Sequence, residues 1–277
     1  CSTPRSGAGA TRLRRSPRIN AANSLRLNVQ HTEQNVATRQ NQFLVNFGAN
    51  STGGPTFTQG AATGVGNIVQ TPAWGDREVG TDLAALRYVH AGAVWRIDAQ
   101  ASLSRSWDER QDLDHGFFRS PTNAQWANLV LRADGLDGLY SRTAPRLSGR
   151  DRLGQIVNPY NAAPELSLAG ASSSQNRNKS WVETISANVG RDLETKFPLS
   201  VKTGASVRRQ QKDLRTWAKS WTFNPPGGAA GRLVRNFDFV DPVFSSRTFF
   251  NESFQAQWIS PERMYNLYRT RPEYFTL

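Results

Sequence analysis

The chain has 277 residues, with 34 Lys and Arg against 22 Asp and Glu and a formal net charge of +12. Mean hydropathy is −0.57, and no run in this sequence approaches the roughly 18 consecutive apolar residues of a membrane-crossing helix. The single cysteine, Cys1, excludes an intrachain disulfide and a multi-cysteine metal site.

Residues 1–22 read as irregular. They hold the densest basic cluster, RLRRSPR from Arg12 to Arg18, which would be the best nucleic-acid patch. The other arginines (Arg26, Arg96, Arg208, Arg232, Arg235) are scattered over strand faces and loops, and no nucleic-acid motif is visible. Nucleic acid is therefore not an expected partner. From Leu25, apolar Leu25, Leu27 and Val29 alternate with Arg26, Asn28 and Gln30. Phe43, Val45 and Phe47 against Gln42 and Asn46 read as the return strand, with a turn near residue 36. Residues 48–80, rich in Gly, Thr, Ser and Asn, read as a long loop.

Next come a strand at Leu83 to Val89, a turn at His90 to Gly92, and the stretch AVWRIDAQASLSRSW from Ala93 to Trp107. Its alternate residues form two sets. Ala93, Trp95, Ile97, Ala99, Ala101, Leu103 and Trp107 are apolar, broken only by Arg105; Val94, Arg96, Asp98, Gln100, Ser102, Ser104 and Ser106 form the other set, polar apart from Val94. Strand side chains alternate between faces, so this is a strand with one greasy and one wet side. Strands of about 5–6 residues are usual in soluble proteins, whereas about 9–11 tilted residues cross a bilayer. Residues 108–179 read as a second loop region, with strand-like content from Gln125 to Ala133. Trp181 to Leu193, the turn Glu194 to Lys196 and Ser200 to Arg209 repeat the two-faced hairpin. Residues 217–277 read as a third loop region.

Short turns alternate with long loops, and this asymmetry predicts the fold: all-β, a partial antiparallel transmembrane β-barrel of long amphipathic hairpins, as one domain over residues 1–277. The turns near 36, 91 and 195 are then periplasmic and the long loops extracellular. Trp95, Trp107 and Trp181 fall near strand ends, where interfacial girdles sit, although sandwich-core positions would look the same. Arg and Lys on the polar faces suit anionic cargo or the carboxylates of a plug, and loop arginines suit lipopolysaccharide phosphates.

Catalytic chemistry is not visible. His31, His90 and His115 are far apart and none has a ligand-like neighbour at metal spacing. Asp108, Glu109, Asp112 and Asp114 offer oxygen ligands for calcium but lack the Gly and final Glu of an EF-hand loop, so a solvated loop is the expectation. Asn158, Tyr160 and Asn161, and also Trp217, Trp221 and Phe223, suit either sugar or siderophore contact or the packing of loops together. No nucleophile elbow, P-loop or carboxylate pair stands out. The expectation is a non-enzyme without cofactor, metal or assignable ligand-binding residues.

Three segments carry a family likeness: RYVHAGAVWRIDAQASLSRSW, ETISANVGRDLETKFPLSVKTGASVRRQQKD and QWISPERMYNLYRTRPEYFTL, the last similar to an extracellular-loop helix. Together they resemble the barrel region of TonB-dependent outer-membrane receptors. The resemblance implies a 22-stranded plugged barrel in the outer membrane of a Gram-negative cell. It also implies energy-coupled uptake of a scarce nutrient of siderophore, cobalamin or oligosaccharide class. Implied partners are outer-membrane lipid and lipopolysaccharide, the small-molecule nutrient, and the TonB–ExbB–ExbD complex acting through a plug segment. The plug, its TonB box and the C-terminal aromatic strand are missing here, so the chain reads as a fragment of such a receptor. Two other readings use the same alternation. One is a secreted carbohydrate-binding or adhesin-like sandwich, which would bury the apolar face; the other is a simple porin.

Overall fold

The computed structural model describes residues 5–15, 17–136, 145–197, 199–249 and 254–277. The alternating segments form long strands: β1 (Arg5–Arg15), β2 (Asn23–Asn46), β3 (Gly66–Ala91), β4 (Trp95–Gln111), β5 (Ala124–Asp134), β6 (Gly170–Leu193) and β7 (Leu199–Phe223). At about 3.3 Å per residue, the 24 to 26 residues of β2, β3, β6 and β7 extend roughly 80 Å. Strands β1, β2, β3, β4, β6 and β7 lie side by side in that order, each antiparallel to the next. Among the described residues β1 and β7 do not pair with each other, so the sheet is open.

The three short connections lie at one end of the sheet, their described residues being 17–22, 92–94 and 194–197. In the first, the Asn20 side-chain oxygen accepts from the backbone N–H of Ala22 (3.1 Å) and Asn23 (2.9 Å), an Asx-type turn. Residues 47–65, 112–136, 145–169, 224–249 and 254–277 occupy the other end. There β5 pairs with the start of β3, and small strands, 3-10 turns and one ten-residue helix, α1 (Pro261–Thr270), build a second layer. Helix α1 is started by Ser260, whose hydroxyl accepts from the Arg263 N–H, with Pro261 in the first turn.

Three expectations need correction. No turn occurs near residue 36: β2 runs unbroken, and Val36 pairs with Arg77 of β3 and Ser6 of β1. Residues 33–40 contain neither Gly nor Pro. Leu25, Leu27 and Val29 share a face with Phe43 and Val45, and the gap between them marks a charged belt rather than a reversal. Residues 1–22 are not irregular throughout, because β1 pairs with β2 along its length. The loop regions at 48–80, 108–179 and 217–277 shrink, since the strands run on to Gly66, Gln111, Gly170 and Phe223. In their upper halves polar residues fall on both faces, as at Ser172 to Asn176 in β6 and Arg39 and Gln40 in β2, which erases the strict alternation that marks a strand.

The second layer packs on one face of the upper half of the sheet. Its largest cluster joins Phe118, Leu166, Leu168, Phe239, Ile259 and Met264 to Trp221 and Phe223 of β7. A second cluster sets Phe117, Phe244 and Trp258 against Trp74 of β3, with Phe43 of β2 at its border. Buried Gln70 ties the layers together. Its amide donates to the Gln257 carbonyl (2.6 Å) and its oxygen accepts from the Ile259 N–H (3.2 Å). The polar group is satisfied, so its burial costs little.

Candidate functional site: a two-faced sheet wall

Strand register aligns the apolar sets into rows. Leu27, Leu86, Ala101, Ile185 and Val207 stand side by side across β2, β3, β4, β6 and β7. The neighbouring row is Leu25, Tyr88, Ala99, Ala187 and Ala205. Along β4 the apolar set runs about 27 Å from Trp95 to Leu103; on the same face Glu183 and Arg209 stand in the Leu103 row and Arg191 in the Trp95 row. No described residue covers the band: Leu103 is 50%, Ile185 66% and Val207 70% exposed. An uncovered band of this kind is the opposite of what a water-soluble sheet does with its apolar face.

Aromatic and charged residues bound the band. At the turn end, Trp95 lies under the Arg191 guanidinium at 5.2 Å. At the far end, the Trp107 indole donates to Glu78 (2.9 Å) and lies flat across Gly80, where any Cβ would overlap the ring. Just below it, on the turn side, His31 pairs with Asp82 (2.7 Å), and above it Glu109 holds Arg177 (2.9 Å) and Lys179 (3.5 Å). Beyond this belt the same sheet face passes beneath the second layer, starting with the ion pair Arg39–Asp76 (2.6 Å). His115 also bonds Asp76 (2.7 Å), clipping the layer to β3. Burial pushes the Asp76 carboxyl up, but its hydrogen bonds to Arg39 and His115 outweigh that and hold it below the usual range.

The opposite face is polar and basic. Its carboxylates Asp98, Asp108 and Asp192 are each taken by an arginine: Arg87, Arg77 (2.8 and 2.6 Å) and Arg96 (2.6 Å). The Arg77 hydrogen bonds outweigh burial and lower the Asp108 carboxyl. Arg12, Arg14, Arg110, Lys202, Arg208 and Lys212 share this face by register and make no ion pair among the described residues. Lys202 contributes to a recess of about 290 Å³ near the turn end, beside Arg96, Asp98 and Asp192.

The other sequence candidates separate. Asp108 and Glu109 are ion-paired, Asp112 accepts from Leu113, Ser173 and Ser174, and Asp114 accepts from Gln175. They do not converge, and no cluster of three or more potential metal-binding side chains occurs among the described residues. His90 bonds Asn23 in the turn region, far along β3 from Asp82, the partner of His31. Asn158 caps a 3-10 turn, and Tyr160 stacks on Phe43. Trp221 and Phe223 are buried in the larger cluster, which places them in loop packing rather than on a binding platform, while Trp217 remains 46% exposed. The Arg39–Asp76–His115 group was not legible beforehand, because its members come from three distant segments. Comparison with family models and with curated proteins gave no match.

Proposed function

We propose that this chain is wall of an outer-membrane β-barrel of the TonB-dependent receptor kind, taking part in uptake of a small nutrient. One observation carries the reading: an uncovered apolar band of bilayer height, about 25 Å, with a charged polar face directly behind it. In a sandwich the band would face a second sheet; here the second layer stops at the Trp107–Glu78 belt. The short turns lie on the periplasmic side, the layer that includes α1 on the outer side, and the polar face lines the lumen. Siderophore, cobalamin and oligosaccharide cargo all agree with the fold.

The test uses the whole chain reconstituted into vesicles containing brominated lipid. Fluorescence should be quenched, and replacing Trp95 and Trp181 by Phe should remove most of the quenching. Leu103→Cys should resist a water-soluble thiol reagent in vesicles while Ser104→Cys reacts. A chain that stays monodisperse in detergent-free buffer, with Leu103→Cys freely labelled in the presence of vesicles, overturns the reading.

A further inference from the structure

On the polar face, above the level of the apolar band, two arginine side chains run together. Gly75 of β3 pairs with Thr38, and a Cβ built on it points to the polar side. That Cβ would meet Arg119 Nη1 at 3.7 Å and Arg110 Cγ and Cδ at 3.8 Å. Both arginines therefore cross the bare backbone of Gly75 from different segments: Arg110 from β4, Arg119 from the strand edge that follows the Leu113–His115 turn. Neither makes an ion pair among the described residues.

The carboxylates close enough to compensate are already committed. Both Asp108 oxygens are held by Arg77. Buried Asp112 accepts from the Leu113 N–H (2.6 Å) and the Ser173 hydroxyl (2.7 Å) through one oxygen, and from the Ser174 N–H (2.8 Å) through the other. Arg119 is partly withdrawn from water; burial, then the Arg110 cation, disfavour its charge, and Asp112 only partly offsets them. The Arg119 guanidinium and the Arg110 side-chain stem share a glycine floor, their charges disfavour each other, and the pair lacks one component, an anion accepting from both.

We infer that Arg110 and Arg119 form an anion-binding site that takes a phosphate or carboxylate group of a solute moving along the polar face. The cargo role rests on the barrel reading; the binding itself does not. A lipid headgroup is the less suitable source of that group, because the site lies on the face opposite the apolar band.

The experiment titrates the full chain in neutral detergent with inorganic phosphate and with citrate, using glucose as the neutral control. Each charge-assisted pair is worth about 1.5–3 kcal/mol, so Arg110→Gln and Arg119→Gln should each weaken phosphate binding about tenfold or more. Arg110→Lys should lose less, and Lys212→Gln, on the same face in β7, should change affinity less than about twofold. Circular dichroism and vesicle partition of every variant report folding. Unchanged phosphate affinity in the Arg110→Gln/Arg119→Gln double variant overturns the site, and so does an equal loss from Lys212→Gln, which would mean diffuse attraction. If partition into vesicles fails while phosphate binding persists, the barrel reading falls and the anion site stands.

Discussion

The lower and upper halves of the long strands share backbones and register but solve burial in opposite ways. Below the Trp107 belt the sheet is one layer thick, with Leu103, Ile185 and Val207 bare on one side and Asp98 and Arg87 on the other. Above the belt the same face disappears under a second layer, and Ile68, Phe118, Phe223 and Phe239 are almost wholly buried. A single β-ladder therefore has two differently covered halves, with the change set by the residues that stand above Val29, Ala84 and Leu103 in the sheet, beginning at His31, Asp82 and Arg105. The upper half is packed as a protein core; the lower half is a one-layer wall whose apolar side is bare among the described residues.

The sharpest way to break the comparison is to damage each half separately. Phe118 touches Trp221, Tyr265, Tyr268 and Phe275 through ring contacts of 5.2 to 5.9 Å. Phe118→Ala should cost the upper layer about 3–5 kcal/mol. Limited proteolysis should then cut residues 224–277 first, with vesicle partition unchanged. Ile185→Arg puts a charge in the apolar band and should cost about 2–4 kcal/mol in vesicles, read by urea titration of the reconstituted chain. Ser186→Arg, on the polar face, should be near neutral. Equal effects at 185 and 186 would remove the distinction between the faces.

Smaller changes sharpen the boundary. Ser260→Ala removes the cap of α1 and should destabilise the upper layer by about 1 kcal/mol, seen as faster amide exchange in residues 261–270. The smallest effect is one of pH. Asp76 titrates below its ordinary value of about 3.9, so its pairing with Arg39 and His115 stabilises the fold above that pH. That contribution is lost as pH falls through the lowered value. Acid titration should therefore loosen the contact of residues 112–118 with β3 below about pH 4, and Asp76→Asn should abolish the step.

Legibility in the sequence follows the same boundary. The hairpins through Leu83–Leu103 and Trp181–Arg209 could be read because lipid-type alternation persists residue by residue. The turn assigned near 36 fails where His31, Glu33, Asn35 and Arg39 replace apolar residues without ending the strand. The buried roles of Trp221 and Phe223 depend on partners more than 40 residues away, such as Phe275 and Phe118, and no local period encodes them. The convergence of Arg110 and Arg119 is set by the path of the chain around Gly75, which spacing alone does not reveal.

Gln70 has a kinetic consequence. Its two hydrogen bonds reach 187 and 189 positions along the chain, while the β3–β4 and β6–β7 hairpins close through a handful of residues. Contacts across such separations carry the larger loop-closure entropy and form late. Hairpins should thus present their apolar band before residues 257–259 have arrived to lock the upper layer. During that interval the exposed band and the open edges of β1 and β7 make the chain most prone to wrong pairing.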